Sequence, residues 1–244
     1  MLTARHLMLL VFSLAVLLHF LGESLAGPHR DEARHCTFNI PNNWIPVPAE
    51  MLAEANRMAK NNNVQFQAGY EPKELTPGPN GERYPYFFLQ HIKINGPGSY
   101  EDIERSIAKG VPNGVKKMEG ELKDLVSNIS VGSAVLDRTK NRIILRIELT
   151  LPNGAKVQGV SYGFIGKEGI LNLHCYALEK DFNRLLPTYN AMADSFAYDQ
   201  GYEFVPGRGV FSWLNWSNGG IIGAIIGGLI GGVIALGRKL LGKA

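Results

Sequence analysis

Cysteine is scarce: two residues, Cys36 and Cys175, in a chain of 244. That excludes a disulfide-dense scaffold and, with no Cys-x-x-Cys pair, a zinc ribbon. His-Glu-x-x-His and acidic calcium loops are absent too. Gly96-Pro97-Gly98 lacks the lysine and the following helix of a phosphate loop, so it reads as a turn. Charge of one sign is also lacking. The formal net charge is +3, and three cations, Arg238, Lys239 and Lys243, stand in the last stretch. The rest is near neutral, which excludes a basic surface for nucleic acid. No cofactor and no metal is therefore expected.

Gly219 to Leu236, GGIIGAIIGGLIGGVIAL, has neither a charge nor a hydrogen-bonding side chain. As a helix it covers roughly 27 Å, near the thickness of a bilayer's hydrocarbon core. Trp213 and Trp216 precede it and the three cations follow it, the flanks expected of a membrane span. The expected transmembrane helix is 211–237, with 238–244 as a basic cytoplasmic tail. Small residues recur every fourth position. Gly219, Gly223, Gly227 and Gly231 make one row; Gly220, Gly228 and Gly232, with Ala224, make the next. Such stripes let two helices approach closely in lipid. The expectation is a homo-oligomer through this stripe.

Residues 1–26 carry Arg5, then an apolar run, then Ser24-Leu25-Ala26, the pattern of a cleavable signal peptide. An exported start and a C-terminal stop-transfer helix give one topology. The expected protein is a single-pass type I protein of the cell membrane, with an extracytoplasmic (periplasmic) domain and a cytoplasmic C-terminus. Residues 27–35 read as a solvated lead-in peptide, 36–202 as the domain and 203–210 as a linker.

Within the domain, Cys36-Thr37-Phe38-Asn39-Ile40 alternates as a strand. Residues 49–60 are amphipathic, and 64–70 and 86–94 read as strands. Ser99 caps a helix, or two helices broken near Gly110, Pro112, Asn113 and Gly114, extending to about residue 125. Four strands follow, at 128–137, 142–151, 156–163 and 169–178, joined by hairpin-length turns. A helix over 181–196 closes the domain. Strands in runs predict an α+β fold: a twisted, mostly antiparallel sheet with helices packed on its faces. Alternation puts Cys36 and Cys175 on apolar faces. They are the candidate disulfide, the alternative being two buried thiols.

Phe38-Asn39-Ile40-Pro41 with Trp44, and the closing Gly169-Ile170-Leu171-Asn172-Leu173, Phe182 and Ala193-Asp194-Ser195-Phe196, resemble the PsbP-like and DcrB-like families. The resemblance covers roughly residues 36–201. It implies an α/β/α sandwich and a binding or assembly module rather than an enzyme.

Gly159-Val160-Ser161-Tyr162-Gly163 has the spacing of a nucleophile elbow, but it lies inside an alternating strand that leads to another strand, where that motif needs a sharp turn into a helix. His91 and His174 each lie in a strand and read as satisfied or surface histidines. Tyr84, Tyr86, Phe87 and Phe88 divide between a core half and an exposed contact edge. No catalytic residue is assigned. The expected function is a non-catalytic binding or assembly module at a lipid bilayer, holding a protein partner or small ligand. Two other readings stand beside it. One is a pore-forming or bilayer-perturbing glycine zipper with a regulatory domain. The other is an extracytoplasmic hydrolase or metal-handling protein using Ser161 or the histidines.

Overall fold

The computed structural model describes residues 25–58, 65–75, 83–93, 98–122, 126–207 and 225–228. The described part is α+β, and every strand ladder in it is antiparallel. The strands are β1 (Leu25–Asp31), β2 (Cys36–Pro41), β3 (Trp44–Pro46), β4 (Gln65–Pro72), β5 (Tyr86–Lys93), β6 (Asn128–Val131), β7 (Val135–Asp137), β8 (Arg142–Thr150), β9 (Lys156–Gly166), β10 (Gly169–Leu178) and β11 (Ala197–Tyr198). The helices are α1 (Ala49–Met58), α2 (Tyr100–Leu122) and α3 (Glu179–Asp194). The main sheet runs β3-β4-β5-β10-β9-β8-β6, with β7 also on β8, and a small sheet runs β1-β2-β11.

The hairpins β8–β9 and β9–β10 follow from Pro152-Asn153-Gly154 and Lys167-Glu168, which turn the chain between apolar runs. In β8, Ile143, Leu145, Ile147 and Leu149 are buried while Arg146 and Glu148 are exposed, so one face sees water. β9 and β10 are buried on both faces, as central strands covered from both sides must be. One face carries Phe87, Val160, Tyr162, Leu173, Cys175 and Ala177 and packs under α3 and β2. The other carries Phe88, Ile143, Leu145, Ile147, Ile170 and Tyr176 and packs with Met51 and Ala55 of α1 and Ile103 and Ile107 of α2.

Several expectations change. The lead-in at 27–35 has no buried side chain among residues 28–35, but it is ordered rather than loose. Its residues continue β1, pair with β2, and turn through Glu32–Arg34. Arg30 binds Asp199 through both carboxylate oxygens, and the His35 ring stacks on Tyr202 at 3.6 Å. Residues 128–137 form two short strands, β6 and β7, rather than one. Of the one helix or two left open at 99–125, the structure has one, α2, unbroken through Pro112. Tyr84, Tyr86, Phe87 and Phe88 are all buried: both faces of β5 are covered, and Tyr84, just before it, stacks on Tyr86. Cys36 and Cys175 are both free, buried thiols, so the bridge considered above is not formed; burial foremost pushes the Cys36 thiol up to about 12. The linker assigned to 203–210 begins inside the core, since Phe204 is buried against the ring of Tyr100.

Among the described residues no helix is long and apolar enough to cross a membrane. Of the expected span, 211–237, only 225–228 is described, and of its stripe only Gly227 and Gly228; Gly219, Gly220, Gly223, Gly231 and Gly232 lie outside the described residues. The expected signal peptide lies outside them too, apart from Leu25 and Ala26 in β1.

Candidate functional site

The register of three central strands builds one polar patch inside an apolar face. In β5 the residues facing α1 and α2 are Tyr86, Phe88, Gln90 and Ile92. In β10 they are Ile170, Asn172, His174 and Tyr176. In β9 they are Val157, Gly159, Ser161, Gly163 and Ile165. Antiparallel pairing sets Gln90 beside Asn172, and His174 beside Ser161. Gln90, Asn172 and His174 are 0 % exposed and Ser161 is 1 % exposed. Four polar side chains thus form a floor at the middle of the sheet.

The floor is only partly satisfied. His174 Nε2 lies 2.8 Å from Gln90 Oε1. An amide oxygen only accepts, so Nε2 carries the proton and Nδ1 is a bare acceptor. Asn172 Nδ2 donates to the same oxygen at 3.5 Å. Ser161 Oγ, Asn172 Oδ1 and His174 Nδ1 are buried without a hydrogen-bond partner. Burial alone pushes the His174 imidazole down to about 3, because a charged ring there loses its hydration and gains no counter-charge. The edge of the Phe66 ring closes one side, 6.1 Å away. Gly163 makes room for the amide: a β-carbon there would stand 2.7 Å from Asn172 Oδ1.

Above this floor lies the described piece of the glycine-rich run. Ile225 and Ile226 are buried at 1 % and 0 % exposure within the same core as Phe88, Ile170 and Tyr176. Tyr176 Oη donates to the Gly228 carbonyl at 3.3 Å. Gly228 sits so close to the floor that a β-carbon would stand 2.5 Å from Gln90 Oε1; only glycine fits that approach. Residues 225–228 therefore act as a plug, apolar toward the walls and bare backbone toward Gln90.

Sequence reasoning singled out Ser161 and His174, and the structure brings them together as cross-strand neighbours. No hydrogen bond joins them, and residues 225–228 lie above the floor. The glycine pattern is mid-strand, as expected. His91, by contrast, is half-buried within β5 between Gln65 of β4 and Leu171 of β10, and burial foremost lowers its pKa. Gln90 and Asn172 were missed. Their signal was there to read, a polar residue at an apolar place in each strand's alternation, but the register that unites them is not written in any one strand. No group of His, Cys, Asp and Glu suited to a metal occurs among the described residues.

No known protein family matches the chain, and no curated protein matches it. It is similar in structure to the cyanobacterial PsbP (CyanoP) of Synechocystis sp. PCC 6803, at 12% identity over 73% of this chain and 95% of that one, with a TM-score of 0.45. It is similar to LpqN of Mycobacterium tuberculosis, involved in cell envelope biogenesis, at 14% identity over 72% and 86%, with a TM-score of 0.37. It is similar to the Saccharomyces cerevisiae Ran-binding protein Mog1p, at 7% identity over 72% and 96%, with a TM-score of 0.40. Likeness at these scores carries no argument about function.

Proposed function

We propose that this chain is a non-catalytic extracytoplasmic binding module whose glycine-rich C-terminal run divides between two homes, the groove over the polar floor and a membrane. The observation that carries the reading is the mismatch between plug and floor. Burying two isoleucine side chains is worth about 1.5–3 kcal/mol each. Desolvating three polar atoms without partners costs roughly 1–3 kcal/mol each. The two sums are of similar size, so the seat is weak by construction. A bilayer receives the same isoleucines without desolvating the floor, and Ser161, Asn172 and His174 regain water when the groove opens.

Self-association through the glycine stripe belongs to the membrane state. Gly228 cannot lie on Gln90 and on a neighbouring helix at once, so seating in the groove and pairing in lipid compete. The run is thereby a tether that the domain itself can withdraw.

The test is flotation of the full-length chain with phospholipid vesicles, comparing wild type with Ser161→Ala and Asn172→Leu. Neither residue reaches the bilayer. Both variants relieve the floor and favour the seated plug, so each lowers the floated fraction severalfold. Unchanged flotation would refute the exchange.

A further inference from the structure

We infer that the polar floor under the plug is a binding site for a neutral amphiphile: an apolar body ending in a hydrogen-bond donor, such as a hydroxyl or an amide N–H. The inference rests on the reading that the plug can leave the groove.

The class of ligand follows from what is unpartnered. Asn172 Oδ1 and His174 Nδ1 can only accept, and Ser161 Oγ accepts or donates. The floor asks for donors. The plug supplies none to these three atoms; its described polar contact to this face is the Gly228 carbonyl, and that accepts from Tyr176. The plug matches the walls and not the floor, as a stand-in does.

Charge narrows the class further. Among the described residues no charged group acts on His174, whose shift has burial as its sole cause, and the polar side chains beside it, Gln90, Ser161 and Asn172, are neutral. A carboxylate or phosphate head would meet two acceptor lone pairs and no cation. An ammonium head would be desolvated without a counter-ion. A neutral head has neither cost. The walls, Phe66, Phe88, Ile170 and Tyr176, are aromatic or aliphatic, which suits an alkyl or ring body. The head would place one donor between Ser161 and His174 and a second toward Asn172.

The experiment uses the full-length protein and two probes of matched chain, n-decanol and its methyl ether, which lacks the donor. Binding is followed by calorimetry and by the nitrogen resonances of labelled histidine, with His174 assigned by its loss in His174→Phe. The expected result is about tenfold tighter binding of the alcohol, the worth of one such hydrogen bond, with the His174 Nδ1 resonance moving toward that of a hydrogen-bonded acceptor. Asn172→Leu and Ser161→Ala each favour the seated plug and so weaken both probes, but they weaken the alcohol more than the ether and thereby reduce the preference. Equal affinity for the two probes, or an unmoved Nδ1 resonance, overturns the inference while leaving plug exchange intact. Ile225→Asp/Ile226→Asp, which unseats the plug, separates the two ideas. If wild type binds neither probe and this variant prefers the alcohol, the ligand class stands and exchange in the native chain fails. If this variant also binds neither, the site itself is refuted.

Discussion

Ser161 and His174 face each other across the β9–β10 ladder, and neither Ser161 Oγ nor His174 Nδ1 has a hydrogen-bond partner. A donor and an acceptor stand side by side, sealed from water, and unbonded. In a core selected only for stability that pair would be apolar or joined. Here the unsatisfied atoms lie beneath residues 225–228, whose Ile225 and Ile226 complete the apolar core on this face; on the proposed exchange, the cost of the floor is relieved when that segment leaves.

Removing the Ser161 hydroxyl relieves one desolvated group. Ser161→Ala stabilises the closed protein by about 1 kcal/mol, read as a higher urea midpoint at unchanged slope. An ordinary serine buried with a partner would give the opposite sign.

Acid opens the groove. In the closed form His174 is held neutral, with its pKa at about 3, while in an open groove it returns toward the usual value of about 6.5. The proton therefore binds the open form better. Closed-form stability is fully present above about pH 6.5 and is lost as pH falls toward 3, by about 1.4 kcal/mol per unit. The described side chains facing His174 are Gln90, Ser161, Asn172 and the Phe66 ring, and nearby Tyr86 and Tyr176 have pKa values raised well above the ordinary tyrosine range. None titrates between pH 5 and 7. Burial also lowers His29 and His91, so total stability falls with acid for other reasons. Amide exchange at residues 225–228 isolates the plug, and His174→Phe abolishes its acid dependence.

Gly228→Ala drives a methyl into the Gln90 amide. Gln90 is held by His174 and cannot swing aside freely. The substitution weakens seating by about 1–3 kcal/mol and raises the vesicle-bound fraction. Residues 225–228 are helical in the seated form as well, so alanine's higher helix propensity favours both states alike and the clash with Gln90 sets the direction.

Cys36 and Cys175 stay unreactive toward an aqueous thiol reagent in the folded protein and titrate as two thiols in denaturant. Both are buried and free, and burial raises both pKa values, which removes the reactive thiolate. A count of zero thiols in denaturant would contradict the structure.

The strand runs, their hairpins and helix α3 were legible because alternation and turn residues are local signals. Strand β1 was not, since Gly27-Pro28-His29-Arg30-Asp31 is too polar to show alternation and is held by pairing with β2 and by the distant Asp199. Pro112 and the neighbouring glycines left one helix or two open; α2 is one helix through them, with Ile103 and Ile107 of its first half buried in the core. Ser161 and His174 were visible as residues but not as neighbours. The glycine run read as a membrane helix because its composition suits lipid; that Ile225 and Ile226 also suit this sheet depends on Gly228 meeting Gln90, a long-range fact.

The most direct test places a diazirine-bearing leucine at position 226 and photolyses the full-length chain with and without vesicles. In water the crosslinks fall on peptides of β5 and β10. As vesicles are added, lipid adducts appear at their expense, and Ser161→Ala shifts the balance back toward the sheet. Adducts to only one of the two, whatever the lipid concentration, would contradict exchange between groove and membrane.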